Sequence, residues 1–309
     1  MKKTALLFAG QGAQFVGMGK DLAEGDPSAR AWFDRAGGVL GYDLARLCFE
    51  GPEAELTRTE NAQPGIFLVS WVAFQLLQQR VPALRFEATA GLSLGEFTAL
   101  AVAGALSFED GLRLVRQRGR FMQEACESTR GGMAAILGLD EAATREVCAK
   151  SGVVLANLNC PGQMVISGAS ENITAAVELA KTKGAKRAIP LPVAGAYHSP
   201  LMASAQPSLQ AELAKVQFVA PTIPVVSNVT ARPHGGPSEI LPRLVEQVTA
   251  SVRWEESMRT LLALGFNQFI ELGPGTALSG FMKRIDKNAS LLNVGDAASL
   301  DATTAALKA

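Results

Sequence analysis

The chain has 309 residues, 48% hydrophobic and 19% charged, which suits one large globular domain or two smaller ones with a sizeable core. Its 29 Lys and Arg balance 29 Asp and Glu, so no global field attracts a polyanion and nonspecific nucleic-acid binding is disfavoured. Four cysteines without a CxxC pair fit a reducing compartment, and two histidines cannot assemble the usual His/Cys metal spacings. The apolar stretch Ala5 to Ala9 is too short for a signal peptide, and no run of about twenty apolar residues is present. The expectation is a cytoplasmic protein with no metal and no membrane contact.

Short apolar runs alternate with segments of helical period, the pattern of an α/β protein. Thr4 to Ala9 reads as a first buried strand, followed by Phe8-Ala9-Gly10-Gln11-Gly12-Ala13-Gln14. With Phe15 at the third glycine position this is no dinucleotide fingerprint, and it lacks the Lys-Ser/Thr of a P-loop. A glycine-flanked glutamine at a strand's end could donate a backbone N–H to an oxyanion; a structural turn is the alternative. Gln63 to Gln79 reads as a helix and Glu87 to Gly91 as a second short strand.

Gly91-Leu92-Ser93-Leu94-Gly95 then matches the G-x-S-x-G nucleophile elbow, a sharp strand-to-helix turn that lifts a serine hydroxyl out of the sheet. Glycines on each side admit close backbone approach, and the following helix N-terminus favours developing negative charge. Chance alone gives roughly 0.2 such matches in a chain of this length, so the pattern gains its weight from Leu94, Phe97, Leu100 and Ala101 at helical spacing behind it. A glycine-flanked serine in a packing turn is the competing explanation.

Ser107, three residues before Asp110, resembles a capping box and sets the phase of a helix through Ala125. Phe108, Leu112, Val115, Gly119 and Met122 form its apolar stripe, with Arg113, Arg116 and Arg120 on the opposite side. Arg118 falls at the stripe's edge. Either it snorkels, or its guanidinium grips a carboxylate with two prongs.

From Gly131 the texture changes. Met133 to Leu139, Val153 to Asn159, Met164 to Ser167 and Arg187 to Val193 read as strands, with helices over Glu141 to Lys150 and from Ser170 to about Lys183. The order β-α-β-β-α-β is the ferredoxin-like pattern. Residues 130–195 are therefore expected as a small domain inserted into a core made of 1–129 and 196–309. Beyond it, Leu201 to Val216, Glu255 to Leu264 and Ala277 to Arg284 read as helices, with Ile223 to Val229 and Gln268 to Leu272 as strands.

A nucleophilic serine needs a base. His234, in Arg232-Pro233-His234-Gly235-Gly236, looks like an exposed turn. His198, in Gly195-Ala196-Tyr197-His198-Ser199-Pro200, lies where the insert hands back to the core, with an interface or capping histidine as the alternative.

Together these motifs resemble the malonyl-CoA:acyl carrier protein transacylases, the acyltransferase family that loads fatty acid synthesis and polyketide assembly. Its marks run nearly end to end: Gly10 to Gln14, Gln63-Pro64, Gly91 to Glu96, Arg118 to Gln123, Asn157 to Gln163, Gly195 to Met202 and Glu271 to Gly275. The resemblance implies an α/β-hydrolase-like core with a ferredoxin-like insert. It implies Ser93 as acylated nucleophile, His198 as general base and the Gln247 backbone carbonyl as the group orienting the imidazole. The backbone N–H groups of Gln11 and Leu94 would form the oxyanion hole, and Arg118 would pair with the malonyl carboxylate. Leu92 stands where many members carry His. Tyr197 stands where malonyl-selective relatives often carry Phe; an aromatic ring there favours malonyl over methylmalonyl.

The implied reaction moves malonyl from malonyl-CoA to the phosphopantetheine thiol of acyl carrier protein by a ping-pong route, without metal or redox cofactor and in a monomer. A serine esterase or thioesterase using the same elbow is the alternative. Because carrier proteins are acidic, Lys186, Arg187, Lys283 and Arg284 are expected to flank the channel mouth and steer the carrier despite the zero net charge.

Overall fold

The structure, a computed structural model, describes residues 2–309. Its described residues form nine strands: β1 (Thr4–Phe8), β2 (Ala88–Gly91), β3 (Gly131–Leu137), β4 (Val154–Cys160), β5 (Gln163–Ala169), β6 (Arg187–Pro190), β7 (Val225–Val226), β8 (Gln268–Leu272) and β9 (Ser290–Val294). Five make one sheet in the order β7-β2-β1-β8-β9, every pair parallel. Strands β1, β2 and β8 are buried along their whole length, as a parallel sheet covered by helices on both faces requires. The period of two divides β1 between the faces: Leu6 and Phe8 join the larger apolar cluster, Ala5 and Leu7 the cluster behind the sheet.

The other four strands form an antiparallel sheet in the order β4-β5-β3-β6. Helices Glu141–Ser151 and Ser170–Thr182 belong to it, and it has its own buried cluster with Ile136, Val147, Ile166 and Val177. This is the expected ferredoxin-like arrangement beside a hydrolase-like parallel core. The two are laced together: the Leu158 N–H donates to the Val252 carbonyl at 2.9 Å, the Val252 N–H donates to the Ala156 carbonyl at 2.8 Å, and Arg284 reaches across to the Pro161 carbonyl at 2.8 Å.

Several elements differ from the expected ones. The helix expected from Gln63 begins at Thr59 and carries Pro64 as its sixth residue; the Glu60 carbonyl, which loses the proline's N–H, receives Arg116 Nη1 at 2.9 Å instead. Leu201 to Val216 is a short 3-10 turn (Pro200–Met202) followed by a helix over Ala205–Leu213. Strand β6 stops at Pro190, because a second proline at 192 removes another ladder donor. Helices between Lys20 and Thr57, one over Pro237–Glu246, strand β9 and the closing helix Ala297–Lys308 complete the core beyond what the apolar periodicity indicates.

Register puts the key loops at one edge. Phe8 stands opposite Gly91, so the loops leaving β1 and β2 emerge together, and a Cβ on Gly10 would meet the Leu92 carbonyl at 2.6 Å.

Candidate active site

Ser93 sits just past the end of β2 with φ 54, a left-handed conformation that non-glycine residues seldom adopt, and helix Gly95–Val102 starts two residues later. The flanking glycines are obligatory. A Cβ on Gly91 would lie 1.9 Å from the Gly95 backbone, and one on Gly95 would lie 2.2 Å from the Phe8 carbonyl oxygen. The Ser93 N–H donates to Asn228 Oδ1 at 2.6 Å, which fixes the strained turn from the neighbouring loop.

His198 Nε2 faces Ser93 Oγ at 2.9 Å, and Nδ1 lies 2.9 Å from the Gln247 backbone oxygen. A carbonyl only accepts, so Nδ1 carries the hydrogen and Nε2 presents its lone pair to the hydroxyl. Burial, reinforced by the nearby Arg118 cation, lowers the His198 pKa to about 4, so the ring is an unprotonated base at neutral pH.

Arg118 does not snorkel. It is 1% exposed; Nη1 donates to Gln63 Oε1 at 2.7 Å, while Nη2 donates to Ser93 Oγ and to Gln247 Oε1, each at 3.0 Å. Its guanidinium stacks over Phe97, and Nε has no partner among the described residues. Burial lowers its pKa only to about 10, so the cation persists at neutral pH. Arg113 and Arg120 are exposed as the helix phase requires, whereas Arg116 is half-buried against Tyr42 and Glu60 rather than solvated.

A cavity of about 560 Å³ opens over Ser93 and His198, walled by Gln11, Leu92, Met122, Asn157, Val193 and Tyr197 among others. No protein acceptor among the described residues takes the backbone N–H of Gln11 or Leu94; Leu94 follows the nucleophile in the chain, and Gln11 lines the same cavity. The Tyr197 hydroxyl is 2.5 Å from Thr59 Oγ1, itself bonded by the Gln11 side chain, so the ring is held rigidly in the wall.

The chain matches the acyl transferase domain over residues 5–298. It belongs to the acyl transferase family. It is 44% identical over 313 aligned positions to the malonyl CoA-acyl carrier protein transacylase of Bacillus subtilis (strain 168), covering all of this chain and 98% of that one. Among solved structures, the malonyl CoA-acyl carrier protein transacylase of Coxiella burnetii superposes with a TM-score of 0.95 at 36% identity, covering 100% of this chain and 98% of that one. A malonyl-transacylase of a type II polyketide system, solved in complex with its acyl-carrier protein, also reaches 0.95 at 38% identity over 98% of this chain and 99% of that one.

Relative to the sequence reading, this acyl transferase site draws in four further residues. Gln63 and Asn228 bond Arg118 and Ser93, and Glu96 accepts from Gln247 Nε2 at 2.6 Å. His234, expected in an exposed turn, has a fully buried ring that bonds Glu96 Oε1 at 2.9 Å. Only the glutamate's place in Gly91 to Glu96 hinted at this in the sequence. Lys186, Arg187, Lys283 and Arg284 are all exposed and none lines the cavity. Lys186 and Arg284 come together around the Gly138–Gly162 contact, and Arg187 begins the strand that leads to the cavity wall at Leu191.

Proposed function

We propose that the chain transfers malonyl from malonyl-CoA to the phosphopantetheine thiol of an acyl carrier protein through an ester on Ser93. The observation that carries this reading is Arg118, a buried cation touching the nucleophile whose hydrogen bonds go only to neutral groups. An unpaired buried charge is costly unless a ligand completes it, and a carboxylate is the matching ligand. A serine esterase acting on uncharged esters offers that cation no anionic acyl end to pair with.

Ser93 Oγ attacks the thioester carbonyl as His198 Nε2 takes its proton. The oxyanion lies against the Gln11 and Leu94 N–H groups, and the helix behind Leu94 adds its dipole. The C–S bond breaks, the coenzyme A sulfur takes the proton from His198, and malonyl stays on Ser93. The carrier's thiol then gives its proton to His198 and attacks the ester, and the proton returns to Ser93 Oγ. The thioester supplies its own activation, so the reading calls on no metal or redox cofactor.

The carrier's arm has a route to this site. A second recess of about 230 Å³ shares Gln11, Gly12, Leu92 and Asn157 with the main cavity and extends to Asn159 and Phe281, one helical turn from Arg284. Lys186, Arg187, Lys283 and Arg284 would meet an acidic partner at that end, and Tyr197 in the wall would select against a 2-methyl branch. The working unit is read as a monomer. Residues 130–195 are read as an inserted unit closing over a core of 1–129 and 196–309, supported by the separate sheet and cluster. Among the described residues no helix is long and apolar enough to cross a membrane, and the four buried, unpaired cysteines support a cytoplasmic setting.

Initial velocities measured against malonyl-CoA at several fixed carrier concentrations test the two-step route. Parallel double-reciprocal lines are expected; lines that intersect would contradict a covalent intermediate.

A further inference from the structure

We infer that Glu96 is a positioning residue for carboxylate recognition, acting on Arg118 through the Gln247 side chain, with His234 holding Glu96 in turn. The inference rests on the carboxylate-binding role of Arg118 proposed above.

Glu96 is wholly buried in the first turn of the helix behind the nucleophile. Its Oε2 accepts from Gln247 Nε2 at 2.6 Å and from the Asn228 N–H at 3.0 Å, and its Oε1 accepts from His234 Nε2 at 2.9 Å. Gln247 Nε2 also donates to the Ser93 carbonyl at 3.0 Å, while its Oε1 receives Arg118 Nη2 at 3.0 Å. The amide therefore fits only one way round. Flipped, it would set an NH₂ against a guanidinium and an oxygen against two acceptors. The carboxylate thus fixes the amide, and the amide aims the guanidinium.

This spacing also has an electrostatic consequence. Glu96 is close enough to favour the charged form of Arg118, but it makes no direct ion pair with it. A carboxylate bonded straight to the guanidinium would occupy the donors that a substrate carboxylate needs. One amide of separation supplies counter-charge while taking a single Nη2 hydrogen, and leaves to the ligand the Nε–H and the second Nη1 hydrogen, which have no acceptor among the described residues.

His234 closes the arrangement from the far side. Its ring is fully buried, and the Glu96 carboxylate can only accept, so Nε2 carries the hydrogen; Nδ1 is buried without a partner among the described residues. The backbone N–H of His234 is anchored on the Val225 carbonyl at 2.9 Å, which ties the loop after β7 to the nucleophile helix.

The test compares initial rates of Ser93 acylation from malonyl-CoA and acetyl-CoA, read by intact mass, in wild type, Glu96→Ala, Glu96→Gln and Arg118→Ala. The ratio of the two rates cancels the fraction of active enzyme, so partial unfolding does not move it. Losing a charged hydrogen-bond acceptor behind Gln247 should lower the malonyl-to-acetyl ratio about tenfold in Glu96→Ala. Glu96→Gln should recover most of it, because its Oε1 can still accept from Gln247 and Asn228. A Glu96→Ala ratio within about twofold of wild type, alongside a collapsed ratio in Arg118→Ala, would overturn the inference. An unchanged ratio in Arg118→Ala would overturn the carboxylate role itself, and this inference with it.

Discussion

Arg118 Nη2 and Ser93 Oγ are hydrogen-bonded at 3.0 Å, on the same oxygen that faces His198 Nε2 at 2.9 Å. The hydroxyl is held between a base ready to take its proton and a cation that stabilises negative charge on the oxygen. In the proposed reaction this one residue binds the far end of a short dicarboxylic acyl group and also favours the nucleophile's ionisation. The two roles separate in the variants below.

Removing the guanidinium should weaken malonyl transfer far more than acetyl transfer. Arg118→Ala is expected to lower kcat/KM for malonyl-CoA by about a hundredfold or more, the scale of one buried charge-assisted contact, with acetyl-CoA falling much less. Steady-state assays with both donors check this; equal losses would remove the carboxylate from the account.

The pH profile should carry both signatures. Acylation needs neutral His198 and charged Arg118, whose pKa values burial brings to about 4 and about 10. As pH falls through the lower value the base is protonated, and as pH rises through the upper value the cation is lost. Malonyl kcat/KM should be level from about pH 5 to about pH 9 and decline outside that range. Acetyl transfer should keep the acid limb and show a weaker alkaline decline, because it loses the cation's contact with Ser93 Oγ but no carboxylate contact. An acid limb near the ordinary histidine pKa would place His198 in a wetter setting than the structure has.

The elbow should not tolerate a methyl group. Gly91→Ala places a Cβ 1.9 Å from the Gly95 backbone, and no flexible side chain can yield there. A loss of about 3 kcal/mol or more is expected, read by urea denaturation. A midpoint close to wild type would mean that the turn is looser than described.

Much of this site was legible in the sequence because its chemistry is local. Gly91 to Gly95 specifies its own turn, and the capping pair Ser107 and Asp110 set the phase that singled out Arg118. The ferredoxin-like order was legible because its strands and helices alternate cleanly with turn residues between them. The Glu96–His234 contact was not, since its partners are 138 positions apart and a Pro-His-Gly-Gly run reads locally as a surface turn. Helices such as Leu44–Glu50 and Glu53–Thr57 are too short to show a period, and the strand expected over Ile223 to Val229 is only Val225–Val226, because β2 pairs with it at just Thr89 and Ala90.

Tyr197 offers a separable test of the cavity wall. Tyr197→Phe keeps the ring but removes the hydroxyl 2.5 Å from Thr59 Oγ1, so stability should fall by about 1 kcal/mol with the malonyl-to-methylmalonyl preference retained. Tyr197→Ala should open the wall and narrow that preference. A preference lost already in Tyr197→Phe would assign the selection to the hydroxyl rather than to the ring.

The central claim is a malonyl ester on Ser93 that waits for the carrier. Intact mass of the protein incubated with malonyl-CoA tests it most directly. The account predicts a gain of one malonyl group in wild type, no gain in Ser93→Ala, and discharge only when the carrier's thiol is added. An adduct that survives in Ser93→Ala, or one that water removes before any carrier arrives, would contradict it.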